Sequence, residues 1–182
     1  MAEKSKHEAA IPNPALKPLN VLVGKWNTTG THPYVPDTIF HGRTSFEWLE
    51  RGAFLIMHSE IDEPEIPSGI AIFGSDDVTK EFFMLYFDER GVSRKYDVSF
   101  KGKTVTWWRN TPEFSQRMTC KVSDDGNTIV SQGVMSKDGS TWEDDLALTY
   151  TRVTERTTKE FVAKGKLEIA KALDVLMENS VR

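Results

Sequence analysis

Between Val21 and Val153 the chain alternates apolar and polar residues in about ten short runs, a period of two that marks strands with one buried face. The runs fall at roughly 23–32, 38–50, 53–62, 69–75, 81–88, 92–100, 103–110, 114–123, 127–135 and 142–152. Between them stand Arg51-Gly52, Pro67-Ser68-Gly69, Asp88-Glu89-Arg90-Gly91, Lys101-Gly102, Asp124-Asp125-Gly126-Asn127 and Lys137-Asp138-Gly139-Ser140, all suited to tight turns. Spacing of about 8–12 residues with no helix between implies an antiparallel meander. Ten strands in one open sheet would leave two unpaired edges, so the pattern predicts an all-β, roughly ten-stranded antiparallel meander barrel.

The flanks differ. Residues 1–18, interrupted by Pro12, Pro14 and Pro18, read as a mobile N-terminal segment, with Leu16, Leu19 and Leu22 able to form a short turn that plugs one end of the barrel. The barrel domain is expected over 19–153. Thr157 and Glu160 make a capping-box pattern, and Val162, Gly165, Ile169, Leu173 and Leu176 recur at helical spacing. An amphipathic C-terminal helix over 154–182 is therefore expected, packed on the barrel or on a partner, a second copy of the chain among the options.

Turn geometry predicts register. A Lys101-Gly102 loop pairs Val98 with Val105, Tyr96 with Trp107 and Arg94 with Arg109. Joining 114–123 to 127–135 pairs Val122 with Ile129, Cys120 with Ser131 and Met118 with Gly133. The Arg51-Gly52 turn pairs Trp48 with Leu55 and Phe46 with Met57. One face then carries the large apolar residues, among them Phe40, Phe46, Trp48, Met57, Trp107, Phe114, Met118, Leu146 and Leu148. It also carries Arg94, Tyr96, Arg109, Gln116 and Tyr150. A solid core would not hold so many polar heads, since each buried orphan costs about 1–3 kcal/mol; a water-containing cavity would.

Arg94 opposite Arg109 admits two explanations. Asp88, Asp144, water or an open rim neutralises them, or an anionic head group sits between two guanidinium forks with Tyr96 and Gln116 as further donors.

Composition narrows the partners. The 182 residues are 38% hydrophobic and 27% charged, with a formal net charge of −4, which gives no reason to expect nucleic acid or an anionic membrane surface. A single cysteine, Cys120, excludes an internal disulfide and suits a reducing compartment. With no apolar leader and no apolar run of about 18 residues, a soluble cytoplasmic protein is expected. His41 and His58 fall on the outer parity with Arg43, Glu47 and Glu60, so no metal site is read from them. There is no nucleophile-elbow or phosphate-loop motif, Cys120 has no histidine on its face, and Asp144-Asp145 at a strand start reads as solvent-facing. No catalytic residue and no cofactor is implied.

Gly24-Lys25-Trp26 at the head of the first strand resembles the G-x-W opening of lipocalins and their calycin relatives. In that group the tryptophan closes the barrel floor and an arginine of the last strand stacks on it; the resemblance assigns these roles to Trp26 and Arg152. Leu22-Val23-Gly24-Lys25-Trp26, the Arg51-Gly52-Ala53-Phe54-Leu55 hairpin and the ten runs over about residues 16–153 resemble an uncharacterised family of calycin-like bacterial barrels close to nitrobindins and fatty-acid-binding proteins. Two departures keep those relatives' ligands from being carried over. The stretch from His32 to Asp37 is too short for the two-helix lid of fatty-acid-binding proteins, and no histidine follows His58 to ligate the haem of a nitrobindin.

The preferred expectation is a barrel that binds a small, partly apolar, anionic ligand, such as a carboxylic acid, without transforming it. Phe46, Trp48, Met57, Tyr86, Tyr96, Trp107, Gln116 and Met118 would line the cavity, and Arg94 and Arg109 would orient the acid group. The alternatives are an enzyme using Tyr96, Arg94 and Asp144 as an acid–base set, or an interaction module built on the C-terminal helix.

Overall fold

A computed structural model of the chain describes residues 10–154. Residues 1–9 and the helix expected after Thr154 lie outside the described residues. The chain divides into two compact units after Arg152, and the first is the barrel.

Ten antiparallel strands form it: β1 (Gly24–Thr31), β2 (Phe40–Leu49), β3 (Phe54–Ile61), β4 (Gly69–Ser75), β5 (Phe82–Asp88), β6 (Ser93–Lys101), β7 (Thr104–Arg109), β8 (Ser115–Val122), β9 (Thr128–Ser136) and β10 (Glu143–Arg152). Each pairs with its neighbour in sequence, and β1 pairs with β10 to close the ring, so no edge is left open. Burial alternates along β1, β2, β6 and β8 as the period of two requires. The pairs Trp48–Leu55, Phe46–Met57, Val122–Ile129, Cys120–Ser131 and Met118–Gly133 occur as the turns predict.

The β6–β7 hairpin differs. Lys101 pairs with Thr104 and Val98 with Trp107, so the two-residue loop is Gly102-Lys103 and the expected pairs slip by two. Gly102 adopts φ +59°, the value a type II′ turn demands at its first central position, where glycine fits without strain. The slip preserves which residues face inward, but Arg94 does not stand opposite Arg109. One pair beyond the Asp97–Trp108 pair, Tyr96 does.

One end is a packed floor. Pro14–Val21 form a 3-10 helix whose N-cap Asn13 accepts a hydrogen bond from the Ala15 N–H at 3.0 Å. Leu16 and Leu19 of this helix, with Leu22, are fully buried in the same core cluster as Leu55, Phe73 and Val105. Trp26 is fully buried and its indole N–H donates to the Leu22 carbonyl at 2.9 Å. Above it lies the Arg152 guanidinium, 4.0 Å from the ring centroid. The loops at the opposite end, 32–39, 62–68, 89–92, 110–114 and 137–142, surround the mouth.

Strand tilt makes each row of inward residues climb from floor to mouth. One row passes from Gly24 through Phe46, Met57, Ala71 and Tyr86 to Arg94. The next passes from Trp48 through Leu55, Phe73 and Met84 to Tyr96. Polar residues are thus delivered to the mouth by the same rows that fill the floor with apolar ones.

Candidate functional site

The mouth is built from the first and last residues of strands that enter or leave there. Arg94 is the second residue of β6, Arg109 ends β7, Gln116 follows the first residue of β8, and Tyr96 lies one inward step below Arg94. All four are inward and only Tyr96 is fully buried, the rest half-buried. The Phe114 ring, in the loop before β8, lies 4.4 Å from the Arg94 guanidinium carbon and 6.0 Å from that of Arg109. The Arg109 carbon is also 6.0 Å from the Tyr96 ring. Two cations therefore share one aromatic wall, an arrangement favourable to each by about 0.5–2 kcal/mol.

The groups that could neutralise these arginines are occupied elsewhere. Asp88 is engaged by Arg90, whose Nη2 donates to Oδ2 at 2.7 Å, and the Tyr86 hydroxyl donates to the same oxygen at 3.2 Å. Hydrogen bonds from Arg90 hold the Asp88 carboxyl below its ordinary pKa, while burial and the Asp88 charge push the Tyr86 hydroxyl well up. Asp144 is exposed on the outer parity opposite Val134. Among the described residues neither Arg94 nor Arg109 has a carboxylate within 4.0 Å. Arg109 donates from Nη2 to the Thr111 hydroxyl at 3.4 Å, and its buried Nε has no hydrogen-bond partner among the described residues. A buried donor left unsatisfied costs about 1–3 kcal/mol and calls for an acceptor.

One carboxylate does enter the barrel, and alternation alone puts the wrong aspartate there. Counting back by twos from Tyr150 places Asp144 inside. The ladder between β9 and β10 breaks between Asp144 and Ala147, so Asp145 and Leu146 together face Gly133. A methyl at Gly133 would meet the Leu146 carbonyl oxygen at 2.9 Å, so the bulge occupies the space a side chain would take. Asp145 is 5% exposed. Its Oδ1 lies 3.0 Å from His32 Nε2 and its Oδ2 accepts from Gln116 Nε2 at 2.5 Å. The Gln116 Oε1 in turn accepts the Tyr96 hydroxyl at 2.5 Å. At the other side of the imidazole, Nδ1 accepts the Tyr34 N–H at 3.0 Å, leaving Nε2 as the nitrogen that meets Asp145.

The expected acid–base set of Tyr96, Arg94 and Asp144 is not assembled, because the bulge turns Asp144 outward. The role expected of Tyr96 and Gln116 as donors to a ligand also changes: the Tyr96 proton and one Gln116 N–H are directed into this internal chain. Burial raises the Tyr96 pKa, opposed by the Arg94 hydrogen bond and by the charges of Arg94 and Arg109, and supported by Asp145. All three charges thus act on one phenol.

The structure brings Arg94, Arg109, Tyr96, Gln116 and Tyr86 together at the mouth. Trp107 and Met118 pair with each other below them, with Trp107 half-buried and 6.1 Å from the Phe73 ring. Phe46, Trp48 and Met57 lie toward the floor, where the Trp48 N–H donates to Asn20 of the 3-10 helix at 3.1 Å. Trp107, Leu146 and Leu148 are only half-buried and pack against the core, whereas the floor residues Leu16, Leu19, Trp26 and Leu55 are fully buried. A cavity of about 420 Å³ opens beside the mouth between the 33–39 segment and β10; His32 and Asp145 line it, and none of the arginines does. Asp145 therefore forms a wall between this outer cavity and the arginine-lined mouth.

No protein-family model matches the chain, and no curated protein does. Among solved structures, the crystal structure of Rv2717c from M. tuberculosis is similar over 78% of this chain and 98% of that one, with a TM-score of 0.57 and 16% identity. Zebrafish ileal bile acid-binding protein, crystallised with cholic acid, aligns over 73% of this chain and 99% of that one, with a TM-score of 0.46 and 19% identity. The first likeness is one of fold, a closed antiparallel barrel of the same class.

Proposed function

We propose that the barrel binds a small, partly apolar, anionic molecule without transforming it, its acid group at the mouth and its apolar part directed down toward Trp107 and Met118. The observation that carries this reading is the arginine pair. Arg94 and Arg109 share the Phe114 ring, neither forms an ion pair within 4.0 Å among the described residues, and Arg109 keeps a buried N–H without an acceptor. An anion accepting from both guanidinium forks satisfies that donor and bridges the two cations. The half-buried inward Trp107, Leu146 and Leu148 supply the apolar surface such a ligand needs.

Binding is favoured over catalysis by the state of His32. Both ring nitrogens are occupied, one by Asp145 and one by the Tyr34 N–H, so the imidazole offers no free lone pair to a substrate.

Native mass spectrometry of the purified protein, as isolated and after addition of octanoate, tests the proposal. A small acid retained by the wild-type chain, and lost when Arg94 and Arg109 are both replaced by alanine, is the expected result. A bare chain in both samples would overturn it.

A further inference from the structure

We infer that Asp145 sets the charge of the ligand, making the mouth a site for monoanions and excluding dianions such as phosphate monoesters. This rests on the binding reading above and adds a selectivity that the arginines alone would not give. A pair of guanidinium groups is indifferent between a carboxylate and a phosphate, or favours the latter for its greater charge. The mouth holds a third charge. Asp145 is drawn inside by the bulge opposite Gly133 and is 5% exposed.

Among the described residues Asp145 has no Lys or Arg partner. His32 turns Nε2 to one carboxylate oxygen while its Nδ1 accepts the Tyr34 N–H, and the Gln116 amide, a neutral donor, takes the other oxygen. Tyr96 feels Asp145 together with Arg94 and Arg109, which places the three charges around one hydroxyl. Two other pairs of opposite charge near the mouth are internally compensated, Asp88 with Arg90 and Glu143 with Lys137 at 3.4 Å, and Glu89, Glu113 and Asp144 are exposed to solvent, which screens them. Two guanidinium charges against one carboxylate leave a single positive charge. A monoanion balances it, whereas a dianion would reverse the sign and be repelled by Asp145 from behind the Gln116 amide. The internal chain adds to this: with its proton given to Gln116 and its oxygen accepting from Arg94, Tyr96 has no donor to offer a surplus of ligand oxygens.

The test compares octanoate, octyl phosphate and octanol by calorimetric titration at about pH 8, where a phosphate monoester with a second pKa near about 6 is a dianion. Wild-type protein is expected to bind octanoate about tenfold or more tightly than octyl phosphate. Asp145→Asn should improve octyl phosphate about tenfold while moving octanoate by less than about threefold. Asp145→Ser, which makes no demand on the orientation of the Gln116 amide, should shift the ratio the same way. Near-ultraviolet circular dichroism checks that each variant is folded. A phosphate-to-carboxylate ratio unchanged in both folded variants would overturn the role of Asp145 and leave the binding reading standing. Octanol binding as tightly as octanoate, or none of the three binding to the wild type, would remove the binding reading and this inference with it.

Discussion

Arg152 closes the barrel by lying over Trp26, its guanidinium carbon 4.0 Å from the centroid of the indole. The same group ties three strands of chain together, donating to the carbonyls of Gly126 at 2.8 Å, Val23 at 2.8 Å and Val21 at 3.4 Å. Its loss exposes an aromatic face and leaves carbonyls at the floor without donors. Arg152→Ala is expected to lower stability by about 2–4 kcal/mol in urea titration, and Arg152→Lys by less, since an ammonium cannot reach three carbonyls in a plane. A change below about 0.5 kcal/mol for the alanine variant would mean the floor is held by its leucines alone.

Gly133→Ala probes the bulge that aims Asp145. The added methyl would sit 2.9 Å from the Leu146 carbonyl oxygen, closer than carbon tolerates, and 3.1 Å from Met118 Cε, a tight contact that the thioether end can relieve. The backbone of β10 must shift, and a loss of about 1–3 kcal/mol is expected by urea unfolding. Hydrogen exchange should localise the change to β9 and β10; uniform exchange rates with unaltered stability would contradict the geometry.

The turn between β8 and β9 makes a pH prediction. The Asp125 carboxylate accepts from the Ser123 hydroxyl at 2.6 Å and from the Asn127 N–H at 3.0 Å, and these bonds, the first above all, lower its pKa to about 2. An unfolded aspartate titrates near about 3.9, so between the two values the unfolded chain holds more protons and stability rises with pH. The contribution is complete above about pH 4 and disappears as pH falls through about 2. Urea midpoints of wild type and Asp125→Asn should therefore differ at neutral pH and converge in strong acid. Curves that stay parallel throughout would assign the effect to something other than this carboxylate.

Cys120 is an inert thiol. Burial pushes its pKa up to about 12, against a smaller opposing effect of the Ser131 hydroxyl 2.9 Å away. A thiol held protonated and sealed from solvent should not react with a disulfide reagent at about pH 8 until the barrel unfolds. Modification of the native protein faster than global unfolding would show that the floor opens locally.

What could be read in the sequence follows from which forces are local. Alternation delimited the strands, and single-answer turns such as that before Leu55 fixed register, so that Arg43 meets Glu60 at 3.5 Å on the outer surface as the pairing requires. At Lys101-Gly102-Lys103 two turn types were compatible with one glycine, and the choice between them moved Arg94 away from Arg109 while leaving both inside. Asp145 was hidden for a different reason. A bulge costs a ladder one residue and reverses parity, and its signal here, a glycine on the facing strand, becomes meaningful only when the strands are paired. His32 and Gln116 converge on it from strands far apart in the chain, a contact that no local pattern records.

The most direct test of the account is the affinity of octanoate for the wild-type protein, for Arg94→Ala and Arg109→Ala singly, and for both together. If the acid group sits between the two guanidinium forks, each single replacement should weaken binding about tenfold and the pair about a hundredfold, with the folded state intact by circular dichroism. Octanoate bound equally well by all four proteins would show that the mouth arginines hold no ligand.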